Sequence, residues 1–279
     1  MACVAVLKKM SILGGALGSR EFEMNMLQEK VTHWVSEIEQ LSKIGRTQPH
    51  AAYAAFTHGL LGRWTYAMRV SAVSTDEILK PLEEAISQVL IPALTMQPAP
   101  SKTTRDVLAL PACLGGMGLV NPVHWSKQQH VTSATACRPL TEMIFQQGGD
   151  VSRATEEQRG IKKRLHQLHR AKKKEEADAI ISILPQSQWK NVQLAQEKGA
   201  SSWLTAIPIQ RLGFTLHKGA FRDAVCLRYG WDPHLTPRSC RCGQNFDINH
   251  VLICQQGGFH SIRHNDLRDT LSRLLSEVC

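Results

Sequence analysis

Four residues near the carboxyl end of the chain have the types and the spacing of a metal site. Cys240, Cys242, His250 and Cys254 form the pattern Cys-x-Cys-x7-His-x3-Cys. Three thiolates and one imidazole bind Zn2+ tetrahedrally, and a closed set of four leaves no position for a substrate. The pattern therefore predicts a structural zinc ion, with Gly243 in a tight turn that lets two thiols face it. The alternative is that these cysteines are buried without a metal.

Further groups that could do chemistry follow this pattern. His260, His264 and Asp266 could form a metal-dependent nuclease centre, but no further ligands accompany them. The alternation of apolar and polar residues after Asp266 instead indicates an amphipathic helix, with Asp266 and Asp269 in its first turn. The helix is the preferred interpretation, and a nuclease is the last of three functional hypotheses.

A run of positive charge is the second feature that could bind a ligand. The chain has a formal net charge of +9 and a pI near 9.3, and eight of its cations lie between Arg159 and Lys174. Lysine and arginine that contact phosphates release condensed counterions, which gives salt-dependent binding to nucleic acid. A solvated charged helix or linker is an equal alternative, because basic runs are common. The candidate nucleic-acid contacts are Lys162, Lys163, Arg164, Arg170, Lys172, Lys173 and Lys174, with Arg238 and Arg241 beside the cysteines.

The sequence gives no indication of a membrane partner. No stretch approaches the roughly 18 to 20 apolar residues that span a bilayer. Met1–Leu7 is apolar but is followed by two lysines, the reverse of the charge order in a secretory signal. We therefore expect an intracellular protein, nuclear or cytoplasmic, in which cysteines stay reduced.

Helical periodicity dominates the first half of the chain. Apolar residues recur every three or four positions, and Gly115, Gly116 and Gly118 indicate a tight turn rather than a phosphate-binding loop. Ser74-Thr75-Asp76-Glu77 fits a capping box before the third helix, with Pro81 as a possible first helical residue. The pattern predicts a mainly α fold, a helical bundle followed by a basic helical segment and a small zinc-stabilised module. The predicted buried stripes are Leu27, Val31, Trp34, Ile38 and Leu41; then Tyr53, Phe56, Leu60, Trp64 and Met68; then Leu82, Ile86, Val89 and Leu94.

Several segments resemble one protein family. They are Ser11–Gly18, Gly62–Tyr66, Ile91–Thr95, Leu110–Gly118, Trp203–Pro208, Gly213–Leu216 and Phe221–Ala224, followed by the cysteine pattern and Gly257-Gly258-Phe259. Together they resemble the region that follows the polymerase domain in non-LTR-type retrotransposon reverse transcriptases. The resemblance implies a helical thumb that tracks template and primer, and a zinc knuckle. Within the thumb, Arg63 and Tyr66 could contact phosphate and stack on bases, whereas Trp64 is expected in the core.

The resemblance also implies a division of the chain and an absence of polymerase activity. It assigns 1–20 to a remnant of the palm exit, 21–125 to a thumb-like bundle, 126–200 to a basic helical connector and 201–279 to a zinc-knuckle module. The family's catalytic aspartates include an adjacent pair, and this chain has no Asp-Asp pair. We therefore expect no catalysis, RNA and/or DNA as partners, and a larger polyprotein with palm and endonuclease as the context. The alternative is a protein–protein interaction module in which zinc serves only as a scaffold.

Overall fold

Helices make up most of the chain, which confirms the predicted mainly α fold. The computed structural model describes residues 9–72, 76–233, 236–257 and 259–278, so the first part of the palm-exit segment and Ser74 and Thr75 of the capping box lie outside the described residues. Within the described ranges, no helix is both long enough and apolar enough to cross a bilayer.

The first elements are a β-hairpin and a helical bundle. Strands β1 (Lys9–Ile12) and β2 (Gly15–Gly18) are antiparallel, with Lys9 opposite Gly18. Helix α1 (Arg20–Thr47) begins at Ser19, whose hydroxyl accepts a hydrogen bond from the Phe22 backbone N–H. The bundle continues with α2 (Pro49–Ala54), a π-helical turn (Ala55–Leu60), α3 (Leu61–Val70), α4 (Asp76–Ala85), a second π-helical turn (Ile86–Leu90), α5 (Ile91–Thr95) and α6 (Lys102–Ala109).

Two long helices and a set of shorter ones follow. Helix α7 (Pro122–Phe145) starts at Asn121, whose side chain accepts from two backbone N–H groups, and it packs on α3, α4 and α8. Helix α8 (Val151–Ser182) starts at Asp150 and forms a helical hairpin with α7. The remaining helices are α9 (Gln186–Leu194), α10 (Ser202–Thr205), α11 (Lys218–Tyr229), α12 (Ile248–Ile253) and α13 (Phe259–Val278), and short 3-10 turns cover Ala112–Leu114, Gln210–Leu212 and Gln255–Gly257.

The predicted apolar stripes form the core. Trp34, Phe56 and Trp64 are at most 4% exposed and contact one another through their rings, with centroids 6.0 and 5.4 Å apart. Trp64 is therefore a core residue, as predicted. Burial of several aromatic side chains accounts for much of the stabilisation, because each removes a large apolar area from water.

The π-helical turn at Ile86–Leu90 changes which residues are buried. Val89, predicted on the buried face, is 37% exposed, whereas Leu90 is fully buried. A π turn inserts one residue into the helical period and moves the apolar face by one position. Pro81 is inside α4 rather than at its start. Proline removes one hydrogen bond from the helix, and the complete burial of its neighbours Leu79 and Leu82 offsets this loss.

The glycine-rich segment is a turn, as predicted, and its carbonyl groups are bound from distant elements. Gly115 and Gly118 have positive φ, and a Cβ on Gly116 would meet the Leu110 carbonyl at 2.0 Å. Buried Arg228 donates to the carbonyls of Ala112 and Gly116, at 2.8 and 3.0 Å. The hydroxyls of Tyr53 and Tyr229 donate to Met117 and Gly115, and Arg105, paired with Glu83 at 2.7 Å, donates to Leu119 and Val120.

Arg222 of α11 caps the carboxyl ends of two other helices. Its guanidinium donates to the carbonyls of Gly45 and Arg46 in the last turn of α1, at 3.3 and 2.8 Å. It also donates to the carbonyls of Ala93 and Leu94 in α5, at 3.2 and 3.3 Å. The last carbonyls of a helix have no partner within it and carry partial negative charge, so one cation stabilises both ends.

The chain divides into two compact units, Met1–Trp231 and Asp232–Cys279. The second unit thus begins at Asp232, not at residue 201 as the sequence suggested. The reason is that Leu204, Phe221, Val225 and Tyr229 are buried in the core of the first unit together with residues from α1 to α9. The turns between 201 and 231, with Pro208 among them, connect helices of that unit and do not mark a domain boundary.

We expect Arg222→Met to destabilise the first unit by about 2 kcal/mol, because hydrogen bonds from a charged donor are worth more than neutral ones. Urea unfolding followed by tryptophan fluorescence measures this, since all six tryptophans lie before Asp232. Arg222→Lys keeps the charge near both helix ends and should lower the free energy of unfolding by less than Arg222→Met. A loss below about 0.5 kcal/mol for Arg222→Met would equal an ordinary surface substitution and contradict the assigned role.

Buried His50 should make the first unit less stable at acidic pH. Desolvation lowers the pKa of His50, partly offset by the Ala206 carbonyl, and its Nδ1 accepts the Leu216 N–H at 3.1 Å. The unfolded chain binds a proton near pH 6.5 more readily than the folded one, so stability falls as the pH drops through about 6.5 and below. Tryptophan-detected unfolding at several pH values should show a smaller acid-dependent loss in His50→Gln than in the wild type. Equal losses would exclude His50 as the source.

Candidate metal centre and basic helix

Cys240 and Cys242 are held on a short hairpin-like turn of the second unit. The Cys240 N–H donates to Gln244, and the Phe246 N–H donates to Arg238, so the chain folds back on itself. Gly243 has φ +85° and donates to the Cys240 carbonyl at 2.9 Å, which confirms the predicted tight turn. Both thiols therefore lie on one side of the turn.

His250 and Cys254 come from α12 and its end. Asp247 caps the helix by accepting the His250 backbone N–H at 3.3 Å, and Cys254 is the first residue after the helix. Val251 and Phe246 pack with Cys240 and Cys254 in the small core of this unit. The helical turn predicted between His250 and Cys254 thus brings both side chains to the cysteine turn.

The four side chains form a group that can hold a metal ion. Their ligand atoms all lie within 4.8 Å of one another. The Cys240 and Cys254 sulfurs are 3.7 Å apart, and Cys242 Sγ is 3.0 Å from His250 Nε2. The backbone N–H of Gln244 favours the Cys242 thiolate, but burial and the neighbouring thiols outweigh it and raise the pKa of Cys242.

The other histidines and aspartates of this unit do not join a metal group. Within the described residues, the Cys-Cys-His-Cys cluster is the metal-binding group found, and His260, His264 and Asp266 are not part of it. They lie exposed along α13. Because α13 already starts at Phe259, Asp266 and Asp269 are not in its first turn, contrary to the expectation.

The predicted basic run lies on α8. The segment from Arg159 to Lys174 has eight lysines and arginines and no acidic residue. Arg159, Lys163, His166, Arg170 and Lys174 follow one another at steps of four, three, four and four, so they share one face of the helix. With a rise of 1.5 Å per residue, this face is about 22 Å long.

Most cations of α8 are exposed, and four of them have no carboxylate one helical turn away along the helix. Lys162, Lys163, Arg164, Arg170, Lys172 and Lys174 are exposed, whereas half-buried Lys173 pairs with Glu176 at 2.7 Å. Around Lys162, Lys163, Arg164 and Arg170 there is no acidic residue one helical turn away in either direction, and the only acid on α7 is Glu142 near its end. The middle of this face therefore has no compensating charge along α8, whereas Glu156 and Asp178 lie one turn from Arg159 and Lys174 at its two ends. Arg238 and Arg241 are also exposed, on the turn that carries Cys240 and Cys242.

A groove between α1 and α3 is a further candidate site. It has a volume of about 670 Å³ and is lined by Lys30, His33, Trp34, Gly62, Arg63 and Tyr66, among others. The sequence pointed to Arg63 and Tyr66 but not to Lys30 and His33, which lie on another helix. The signal available in the sequence was Gly62, a glycine inside a helical pattern.

Comparison with models of protein families, with curated proteins and with solved structures found no match. The resemblance to reverse transcriptases therefore stays a prediction.

We expect Cys242→Ser and His250→Ala to lose the metal and unfold the second unit, because binding at a small structural site is worth roughly 10 kcal/mol or more. Metal content and the NMR dispersion of residues after Asp232 would show the loss. Exposed Cys137, outside the cluster, provides the control Cys137→Ser. The tryptophan signal of the first unit should not change, and unfolding of both units together would contradict the division at Asp232.

Proposed function

We propose that this chain binds nucleic acid through the basic face of α8, and that a zinc-stabilised second unit adds Arg238 and Arg241 as further phosphate contacts. The observation that carries the proposal is the charge of this helix, which has eight cations and no acid from Arg159 to Lys174 and little buried surface. Four of the cations, Arg159, Lys163, Arg170 and Lys174, share one face. A polyanion would relieve the repulsion between these like charges, which destabilises an isolated helix. The contacts would be to phosphates and therefore independent of sequence.

The donor set supports Zn2+ as the metal. Three sulfurs and one nitrogen are a common structural zinc set, and metal–sulfur bonds of about 2.3 Å place tetrahedral sulfurs about 3.8 Å apart. The separation of 3.7 Å between Cys240 and Cys254 agrees with this. The 3.0 Å between Cys242 and His250 is shorter than tetrahedral geometry requires, since the two atoms are hydrogen-bonded. The ion would hold the second unit folded, and no open position would remain for catalysis.

We also propose that the chain corresponds to the region after the palm in a retrotransposon-type reverse transcriptase, without its own polymerase activity. The helical fold, the Cys-Cys-His-Cys cluster and the basic helix are consistent with the segments that resemble that family. RNA or DNA would then be the partner, inside a cell.

One observation favours a protein partner for the second unit. Leu267, Leu271, Leu274 and Leu275 of α13 are between 49 and 66% exposed, and they recur at helical spacing. In this alternative zinc only supports a scaffold, and the chain has little affinity for nucleic acid at moderate salt.

The triple variant Lys162→Gln, Lys163→Gln, Arg170→Gln should weaken duplex binding uniformly across sequences. Each lost phosphate contact should flatten the slope of log affinity against log salt by about 0.9. Fluorescence anisotropy at several salt concentrations measures both effects. Lys173→Gln is the matched control, because Lys173 already pairs with Glu176.

An unchanged slope in the triple variant would remove α8 from the interface. A wild-type chain that binds no nucleic acid at moderate salt would overturn the whole proposal in favour of the scaffold.

A further inference from the structure

Two aromatic residues line the groove between α1 and α3, and the β-hairpin closes one end of it. Trp34, only 4% exposed, forms the floor, and Tyr66, 46% exposed, lines it from α3. The hairpin closes one end, since Tyr66 Oη donates to the Leu13 carbonyl at 2.6 Å and Lys30 Nζ donates to the Gly14 carbonyl. Its volume of about 670 Å³ falls within the roughly 300–1,000 Å³ of small-molecule sites.

Gly62 keeps this groove open without a structural reason of its own. It lies near the start of α3 with no positive φ, and a Cβ built there would meet no atom within 4 Å. Glycine in a helix costs about 1 kcal/mol relative to alanine, so neither packing nor backbone conformation explains it. Absence of a side chain where space is free is what the close approach of a ligand to the backbone requires.

The helix next to Gly62 is also irregular. The π-helical turn Ala55–Leu60 ends two residues before it. Such turns are rare and occur often at functional sites, because they displace side chains from the regular helical positions. The π-helical turn thus directly precedes the part of α3 that lines the groove.

The charged groups at the groove suit an anion beside a flat ring. Arg63 is half exposed, and one of its nitrogens is held by Glu37 at 2.7 Å, which leaves its other N–H donors available. Lys30 adds a further cation to the lining, whereas His33 Nε2 lies 3.3 Å from the same Glu37 carboxylate, and Glu29 is the one carboxylate among the described lining residues. Helix α8, in contrast, has no aromatic residue from Val151 to Ser182 and can offer only phosphate contacts.

We propose that the groove binds one nucleotide of a single-stranded nucleic acid, with the base stacked on Tyr66 and the phosphate at Arg63 and Lys30. Aromatic platforms beside cations are the usual means of holding single strands, and each stacked base is worth about 1–3 kcal/mol. A base paired in a duplex has no free face to offer a groove between two helices. The site is separate from the α8 face and goes beyond the binding proposed for it.

The test replaces Gly62 by a residue whose side chain fills the groove. In Gly62→Leu the side chain would occupy the space, whereas Gly62→Ala adds one methyl group and serves as the control. Anisotropy with a labelled oligothymidylate, at a salt concentration that abolishes binding through α8, should show a roughly tenfold loss for Gly62→Leu and little change for Gly62→Ala. Urea unfolding should show both variants at least as stable as the wild type, since both residues are better helix formers than glycine.

Two further results decide the chemistry. Thymidine monophosphate should displace the strand, whereas inorganic phosphate at the same concentration should not. Tyr66→Phe should retain binding and Tyr66→Leu should lose it. The proposal would be overturned by any of three results. They are wild-type affinity in Gly62→Leu, equal losses of affinity in Gly62→Leu and Gly62→Ala, and displacement of the strand by inorganic phosphate alone. Duplex binding at low salt, which tests α8, should be the same in Gly62→Leu as in the wild type.

Discussion

The first unit depends on satisfying buried backbone carbonyl groups with donors from far along the chain. The turn around Gly115–Gly118 cannot form a regular ladder, so its carbonyls need other partners, and Arg105, Arg228, Tyr53 and Tyr229 supply them. Burial raises the pKa of Tyr229 to about 12, against the opposing effect of Arg228, so its phenol remains a neutral donor. An unpaired buried carbonyl costs about 1–3 kcal/mol, and these contacts therefore join the early helices to α11 more firmly than apolar contact alone.

None of these hydrogen bonds to the glycine-rich turn comes from α8, so that helix is free to carry charge. The end of α8 is anchored by Ala177 and Ile181 in the common core, while the segment before it packs along α7, where His169 lies 3.4 Å from Thr132. A helix that packs mainly along α7 can present cations on its remaining surface. The same division explains why the sequence pattern of α8 is poor in apolar residues and yet helical throughout.

Local features of the chain could be predicted from the sequence, whereas long-range ones could not. The cysteine cluster spans fifteen residues with its own turn and cap, so spacing alone brought the four ligands together. The buried faces of α1 and α3 followed from periodicity in the same way. The π turn at Ile86–Leu90 did not, because nothing in the apolar pattern distinguishes a shifted period from a regular one. The boundary at Asp232 was missed because the burial of Phe221 and Tyr229 depends on contacts with α2, α5 and α9.

The three candidate sites differ in how far each depends on the fold. The metal-binding group lies in a unit whose described core has only a few residues, among them Val251 and Phe246, so that a bound ion would help to offset the entropy of ordering the chain. The α8 face needs only a helix, and its charges act over a Debye length without exact placement. The groove needs the whole bundle, since Lys30 and Tyr66 meet only where the hairpin, α1 and α3 converge. Phosphate attraction by α8 would therefore tolerate surface variation, whereas recognition of a base would fail with small shifts of α1 against α3. Under the two proposals, selectivity for nucleic-acid form would lie in the groove rather than in the part of the molecule with the most charge.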